Sequence, residues 1–244
     1  LHHDARRQRQ MCIRDSDSLS APAPIPLMSG GFRWSRGRQH SAIVLVEAGD
    51  TTPVASIDKH RLVPLGEWVP ALPGLSGLSA IGGLEAGAPS RLWRWGGPPA
   101  AVAICYEISN GAALARAVAE GAEWILAAAN LDPYPRLLQQ QYLALAQLRS
   151  LETARPLLST ANTGPTAMIR ANGQIAERLA SFDPGLLLVP FQPRMGMTGY
   201  VRWGEAPLLL LIGVSSLVLI RSASRLGPRP ARPRRRKTQP PDQE

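Results

Sequence analysis

Short apolar runs of four to six residues alternate with helical stretches between residues 42 and 190, and that alternation restricts the chain to a layered α/β domain. The candidate strands are 42–47, 54–57, 91–95, 101–105, 124–129, 157–161, 166–170 and 186–190. Helices are predicted at 111–120 and at 136–154, where Leu137, Leu138, Gln141, Leu145, Leu148 and Leu151 recur at helical spacing. Ala171, Asn172 and Gly173 predict a hairpin turn between the run ending MIR and the run beginning QIAE. With 244 residues at 45% hydrophobic, the chain can bury one sizeable core.

The formal charge of +9 belongs to the ends. Residues 1–40 carry seven Arg against three Asp, and residues 221–244 carry eight basic groups against two acidic ones. The body between them holds twelve basic and thirteen acidic residues, which demotes a nucleic-acid partner, because such a domain carries its positive charge on a folded face. Cys12 and Cys105 are too few for a disulfide framework, and no His pair stands at ligand spacing, so neither a metal nor a cofactor is expected. Residues 1–20 lack an apolar core segment and either period, and are expected to be disordered or a foreign junction without a cleavable signal. Residues 206–220 run fifteen positions without a charge, between Glu205 and Arg221. With Trp203 before it and PRPARPRRRK after it, this segment is expected to be a transmembrane helix at 203–222, followed by a basic cytoplasmic tail at 223–244.

The richest local signal for chemistry is AVAICYE, residues 101–107. An apolar strand ending on Cys105 and followed by a turn and a helix presents a thiol at the C-terminal edge of a sheet, near a helix N-terminus where thiolate is favoured. An ordinary buried Cys fits the same pattern. Lysine usage supplies a second clue: the chain has 25 Arg and two Lys, and with Lys237 in the basic tail, Lys59 is the sole lysine of the body. An ammonium meets a developing oxyanion as a compact point charge and exchanges a proton, which a guanidinium does not. Glu67 follows eight residues later, beyond a Pro/Gly turn able to fold its carboxylate back onto that ammonium.

These elements together, with Asn130 after an apolar strand, LRSLETARPLLSTANTGPTAMI from Leu148 and GMTGYVRWGEAPLLLL from Gly196, resemble the catalytic region of the apolipoprotein N-acyltransferase family. That family lies within the nitrilase (carbon-nitrogen hydrolase) superfamily, and the similarity spans roughly residues 25–222 in the same order. The resemblance implies an α-β-β-α sandwich at residues 21–202 on the periplasmic face of a bacterial inner membrane. It also implies a Cys105 nucleophile, Lys59 as oxyanion stabiliser and Glu67 as supporting carboxylate. Tyr106 and Glu107 match the residues that follow the family's cysteine, and Asn130 and Asn162 are pocket candidates. The implied reaction moves an acyl chain from a phospholipid through a Cys thioester to the amine of an apolipoprotein's diacylglyceryl cysteine. Alternatives are an amidase acting on a small amide, and a noncatalytic membrane-anchored relative.

Departures from the family pattern set further expectations. The family's general-base Glu lies upstream of SGGF, where residues 1–20 offer Asp4, Asp15 and Asp17 but no Glu. The chain is therefore expected to be an N-terminally truncated fragment with little activity by itself. Residues 130–135 read NLDPYP in place of an Asn-Asp-Ala-Trp-Phe-Gly loop, and Tyr142 stands where His is common.

Overall fold

A computed structural model describes residues 25–50, 52–64, 66–68 and 83–225, the side chains of 223–225 excepted. The expectations for residues 1–20 and for the basic tail beyond residue 225 lie outside the described residues. Two compact units divide after Gly204.

The first unit contains two sheets. The smaller is an antiparallel ribbon of β1 (Leu27–Ser35), β2 (Arg38–Val46) and β3 (Pro53–Asp58), in that order. Arg36 and Gly37, with φ of 51° and 78°, make the two-residue turn between β1 and β2 and match the left-handed pair that a tight hairpin requires. The larger sheet runs β4 (Leu92–Trp93), β5 (Ala100–Ile104), β6 (Trp124–Ala129), β7 (Leu157–Ala161), β8 (Thr166–Ile169) and β9 (Ile175–Leu179). Its centre, β5 to β7, is parallel, and both flanks are antiparallel.

Parallel neighbours need crossovers, and two helices supply them. Helix α1 (Gly111–Ala119) links β5 to β6, and α2 (Arg136–Thr153) links β6 to β7. Asn110 caps α1 by accepting from the Ala113 amide at 3.3 Å. Gly111 opens that helix because a Cβ there would lie 2.0 Å from Arg149 Nη1 and 2.7 Å from Tyr200 Oη. Helix α2 stops at Ala154, which takes a left-handed φ of 51°.

Strand β5 shows how the layers arise. Its successive side chains point to opposite faces, and all five are buried. Ala101 and Ala103 pack with Leu114, Val118, Leu143 and Ala146 in the core beneath the helices. Val102 and Ile104 pack with Ile43, Leu45, Ile57, Trp93 and Trp124 in a second core between the two sheets. The layers are thus sheet, sheet and helix. Among the described residues of the first unit no helix packs on the outer face of the β1–β3 ribbon, so one outer layer of the expected α-β-β-α sandwich is not seen there. One strand expectation also changes, and one strand appears that was not expected. Residues 186–190 are not a strand: Leu186 and Leu188 are four-fifths exposed, because β9 already takes the edge next to β8. β1, whose Gly30-Gly31 interrupts any apolar period, is held instead by a nine-residue register against β2. The hairpin at 171–173 forms as expected, closed by the Gly173 amide donating to the Arg170 carbonyl at 2.8 Å.

A short helix α3 (Gly199–Trp203), capped by Thr198, ends the first unit. The second unit holds α4 (Ala206–Arg225), whose large apolar side chains from Leu208 to Ile220 are all about half exposed or more. A helix therefore stands where the transmembrane span was expected. Among the described residues, however, no helix is long and apolar enough to cross a membrane. Its uncharged stretch covers about 22 Å at 1.5 Å per residue, against a hydrocarbon core of about 30 Å.

Candidate active site

The C-terminal ends of three adjacent parallel strands share one edge of the large sheet, the edge at which open α/β sheets place their ligands. Cys105, Asn130 and Asn162 are the first residues beyond β5, β6 and β7 respectively. Cys105 has a φ of 52°, a left-handed conformation unusual for a residue with a side chain, and it opens a tight turn spanning Cys105–Ser109. Holding a non-glycine residue there costs of order 1–3 kcal/mol, which the surrounding buried strand and turn must sustain. The kink carries the thiol off the sheet edge, where it remains partly exposed.

Lys59 arrives from the other sheet. It follows the last residue of β3, its amide donates to the Ser41 carbonyl at 2.8 Å, and its side chain is fully buried. An ammonium out of water needs a partner. Glu67 provides one: Lys59 Nζ donates to both carboxylate oxygens, at 2.7 and 2.6 Å. The turn brings Glu67 back by donating its amide to the Val63 carbonyl at 2.9 Å, while the Val63 amide donates to Glu67 Oε2 at 2.8 Å.

Glu107 joins the two elements. Its Oε1 accepts from the amides of His60 and Arg61 at 2.8 and 3.0 Å, and its Oε2 accepts from the Ile104 amide at 2.9 Å. Arg91 Nη1 donates to both oxygens at 3.0 Å, and both residues of this ion pair are 3% exposed. The Arg91 Nη2 donates to the carbonyls of Asp58 and Ala88. One carboxylate therefore ties the segment after Lys59 to the residue before Cys105, and one guanidinium ties that carboxylate to the end of β3. The loop at 87–88 closes the arrangement: the Gly87 amide donates to the Lys59 carbonyl, and His60 Nδ1 lies 2.8 Å from the Gly87 carbonyl, so this nitrogen carries the proton.

The electrostatics correct one expectation. Burial pushes the Cys105 thiol above its ordinary range, and the Lys59 ammonium pulls it only part of the way back, while Glu67 and Glu107 oppose ionisation. The thiolate expected from a helix N-terminus is thus not favoured at rest, because desolvation outweighs the local dipole and the cation. The same charges reach two phenols. Burial first, and then the neighbouring Cys105 and Glu67, raise Tyr134. Tyr142, buried, is raised by burial first and then by Cys105 and Glu107, and its hydroxyl has no partner among the described residues.

The remaining candidates divide. Asn162 Nδ2 donates to Asn130 Oδ1 at 2.8 Å, and Asn162 Oδ1 accepts from the Leu131 amide, so this pair braces the loop after β6. Buried Gln139 braces the same loop from α2, donating to the carbonyls of Leu131 and Tyr134. Tyr106 points outward, 40% exposed, beneath the Arg61 guanidinium. Arg91, Arg61 and Gln139 escaped the sequence reading, and Tyr134 entered it only as part of the NLDPYP departure. Arg91 alone left a trace, a charge at the head of an apolar strand. No group of three or more His, Cys, Asp or Glu among the described residues is placed to hold a metal ion.

The sequence profile of the carbon-nitrogen hydrolase family matches residues 19–198. The chain belongs to the carbon-nitrogen hydrolase family. Among curated members of this kind, it is 61% identical over 210 residues to an apolipoprotein N-acyltransferase of Prochlorococcus marinus (strain MIT 9313), covering 84% of this chain and 42% of that protein. It is 35% identical to an apolipoprotein N-acyltransferase of Bordetella bronchiseptica, covering 75% of this chain and 35% of that protein. The chain thus spans less than half the length of these curated relatives. Among solved carbon-nitrogen hydrolase folds, an amidase from Nesterenkonia sp. superposes with a TM-score of 0.58 at 17% identity, over 83% of this chain and 72% of that one. At that identity the likeness shows the fold.

Proposed function

We propose that this chain is the catalytic part of an apolipoprotein N-acyltransferase, with Cys105 as nucleophile, Lys59 as oxyanion stabiliser and Glu67 as the carboxylate that holds the lysine. The observation that carries this reading is the Glu107 clamp, which locks the Lys59 segment to the strand that ends at Cys105. In the first half-reaction the Cys105 sulfur forms a bond to the carbonyl carbon of a phospholipid ester. Negative charge gathers on the carbonyl oxygen, where a fixed ammonium stabilises it. The ester C–O bond breaks, and the thiol's proton ends on the released lysophospholipid hydroxyl. In the second, the amine of a diacylglyceryl cysteine attacks the thioester, the C–S bond breaks, and a proton from nitrogen returns to sulfur. The sum is ester plus amine giving amide plus alcohol. Because burial holds Cys105 protonated at rest, the first half depends on a base to take the thiol proton, and the second on a base to take the amine's.

A lipid substrate also accounts for α4, whose apolar side chains are exposed along its whole length. This helix is proposed to insert into the bilayer from the periplasmic side, and its short uncharged stretch reaches the cytoplasmic surface only if Arg221 snorkels and the bilayer thins around it. To test the reading, the chain is fused behind the portion of the Prochlorococcus relative that it does not match and incubated with an alkyne-tagged phospholipid. The expected result is hydroxylamine-sensitive labelling that Cys105→Ala removes, and loss of the label on addition of a diacylglyceryl-cysteine peptide. Labelling that survives Cys105→Ala, or its absence under conditions in which the intact relative is labelled, refutes it.

A further inference from the structure

The Lys59–Glu67 turn carries a second cation that the acyl-transfer chemistry leaves unused. Arg61 is exposed, and among the described residues its guanidinium has no carboxylate partner. Yet it is not free to wander. Its amide is fixed to Glu107 Oε1 at 3.0 Å, and its guanidinium carbon sits 5.2 Å from the centroid of the Tyr106 ring, within cation–π range. Arg61 is two residues from Lys59 and Tyr106 is next to Cys105, and both side chains are exposed, so this stacked pair flanks the ammonium and the thiol along the chain and faces solvent. A guanidinium stacked on an aromatic face keeps its N–H edge available, and that fork matches two oxygens of a phosphate.

We infer that Arg61, held on Tyr106, binds the phosphodiester of the acyl donor and so distinguishes a phospholipid from a neutral ester. This rests on the proposed phospholipid-dependent reaction and specifies its donor subsite. In a glycerophospholipid the phosphate lies a few bonds beyond the scissile ester, so a cation just outside the nucleophile meets it while the ester carbonyl faces Lys59. The acceptor, a diacylglyceryl cysteine, has no phosphate. Arg61 therefore acts on thioester formation and not on its resolution. Since the Glu107 contact uses the Arg61 backbone, truncating the side chain leaves the clamp in place.

The test uses the fusion protein described above, its Arg61→Ala and Arg61→Lys variants, and two acyl donors: dipalmitoyl phosphatidylglycerol in detergent micelles and p-nitrophenyl palmitate. With the phospholipid, Arg61→Ala is expected to raise the KM for thioester formation about ten- to hundredfold at little change in kcat, the loss of one charge-assisted contact. Arg61→Lys should recover only part of it, because an ammonium keeps the charge and loses the two-donor fork. With p-nitrophenyl palmitate the KM should move less than about twofold, and the rate at which amine consumes a preformed thioester should not change. An equal loss on both esters, or none on either, overturns the inference and leaves the acyltransferase reading standing. A wild type that accepts p-nitrophenyl palmitate and refuses phospholipid overturns both. Inhibition of p-nitrophenyl palmitate turnover by inorganic phosphate that Arg61→Ala abolishes, with phospholipid kinetics unchanged, assigns the cation to free phosphate and overturns the donor role.

Discussion

Replacing Glu107 by Gln changes one atom, and its cost is worked out from the partners of that carboxylate. All of them are donors: the amides of His60, Arg61 and Ile104, and Arg91 Nη1, which reaches both oxygens. The Gln carbonyl still accepts on one side. On the other, an NH2 group faces either the Ile104 amide or the amides of His60 and Arg61, donor against donor. Arg91 is then a buried cation without its counter-ion. Breaking a buried pair by removing one charge costs about 3–5 kcal/mol, a large part of the 5–15 kcal/mol typical of a folded domain. At about 2–4 °C per kcal/mol for a unit of this size, the melting temperature should fall by about 6–20 °C. Thermal unfolding followed by near-ultraviolet circular dichroism, at one scan rate for wild type and variant, measures this. The double replacement Glu107→Leu with Arg91→Met should lose less than the two single replacements added together, because no unpaired charge remains. A melting temperature within about 2 °C of wild type for Glu107→Gln would refute the clamp.

Two further outcomes follow from the same geometry. In a Cys12→Ser background, Lys59→Met removes the charge that partly offsets burial at Cys105. The thiol pKa, already raised, should rise further, so alkylation by iodoacetamide at pH 8 should slow and its pH midpoint move upward; a downward move contradicts the electrostatic assignment. Gly87→Ala places a Cβ 2.4 Å from Asp58 Cβ and 2.9 Å from the Asp58 carbonyl oxygen, at the end of β3. Backbone must shift there, and the loss should be about 1–3 kcal/mol, read by urea unfolding; an unchanged midpoint contradicts the close approach.

The centre of the large sheet was legible because β5 and most of β6 bury both faces. Ala100–Ile104 and Trp124–Ala129 read as unbroken apolar runs wherever they are placed, Leu157–Ala161 begins as one, and the helices between them show a clear period. The fold-back of Glu67 onto Lys59 was legible as well, since eight residues and a Pro/Gly turn make it a local event. Strand β1 was hidden by Gly30 and Gly31, and residues 186–190 misled because an apolar run becomes a strand only where an edge is open to pair with it.

The sequence by itself determined the α/β layering, the position of Cys105 at a strand end and the singular lysine of the body, all of which depend on residue types and short spacings. The tertiary structure alone decided what surrounds them. Glu107 meets the His60 amide across 47 residues of chain and between the two sheets, and Arg91 across 16 within the larger one, and no spacing rule anticipates either. The direction of the Cys105 shift was decided there too. Ionisation of a thiol depends on how much water the packed layers leave around it, and here burial outweighs the dipole and the neighbouring ammonium that the sequence alone brought into view.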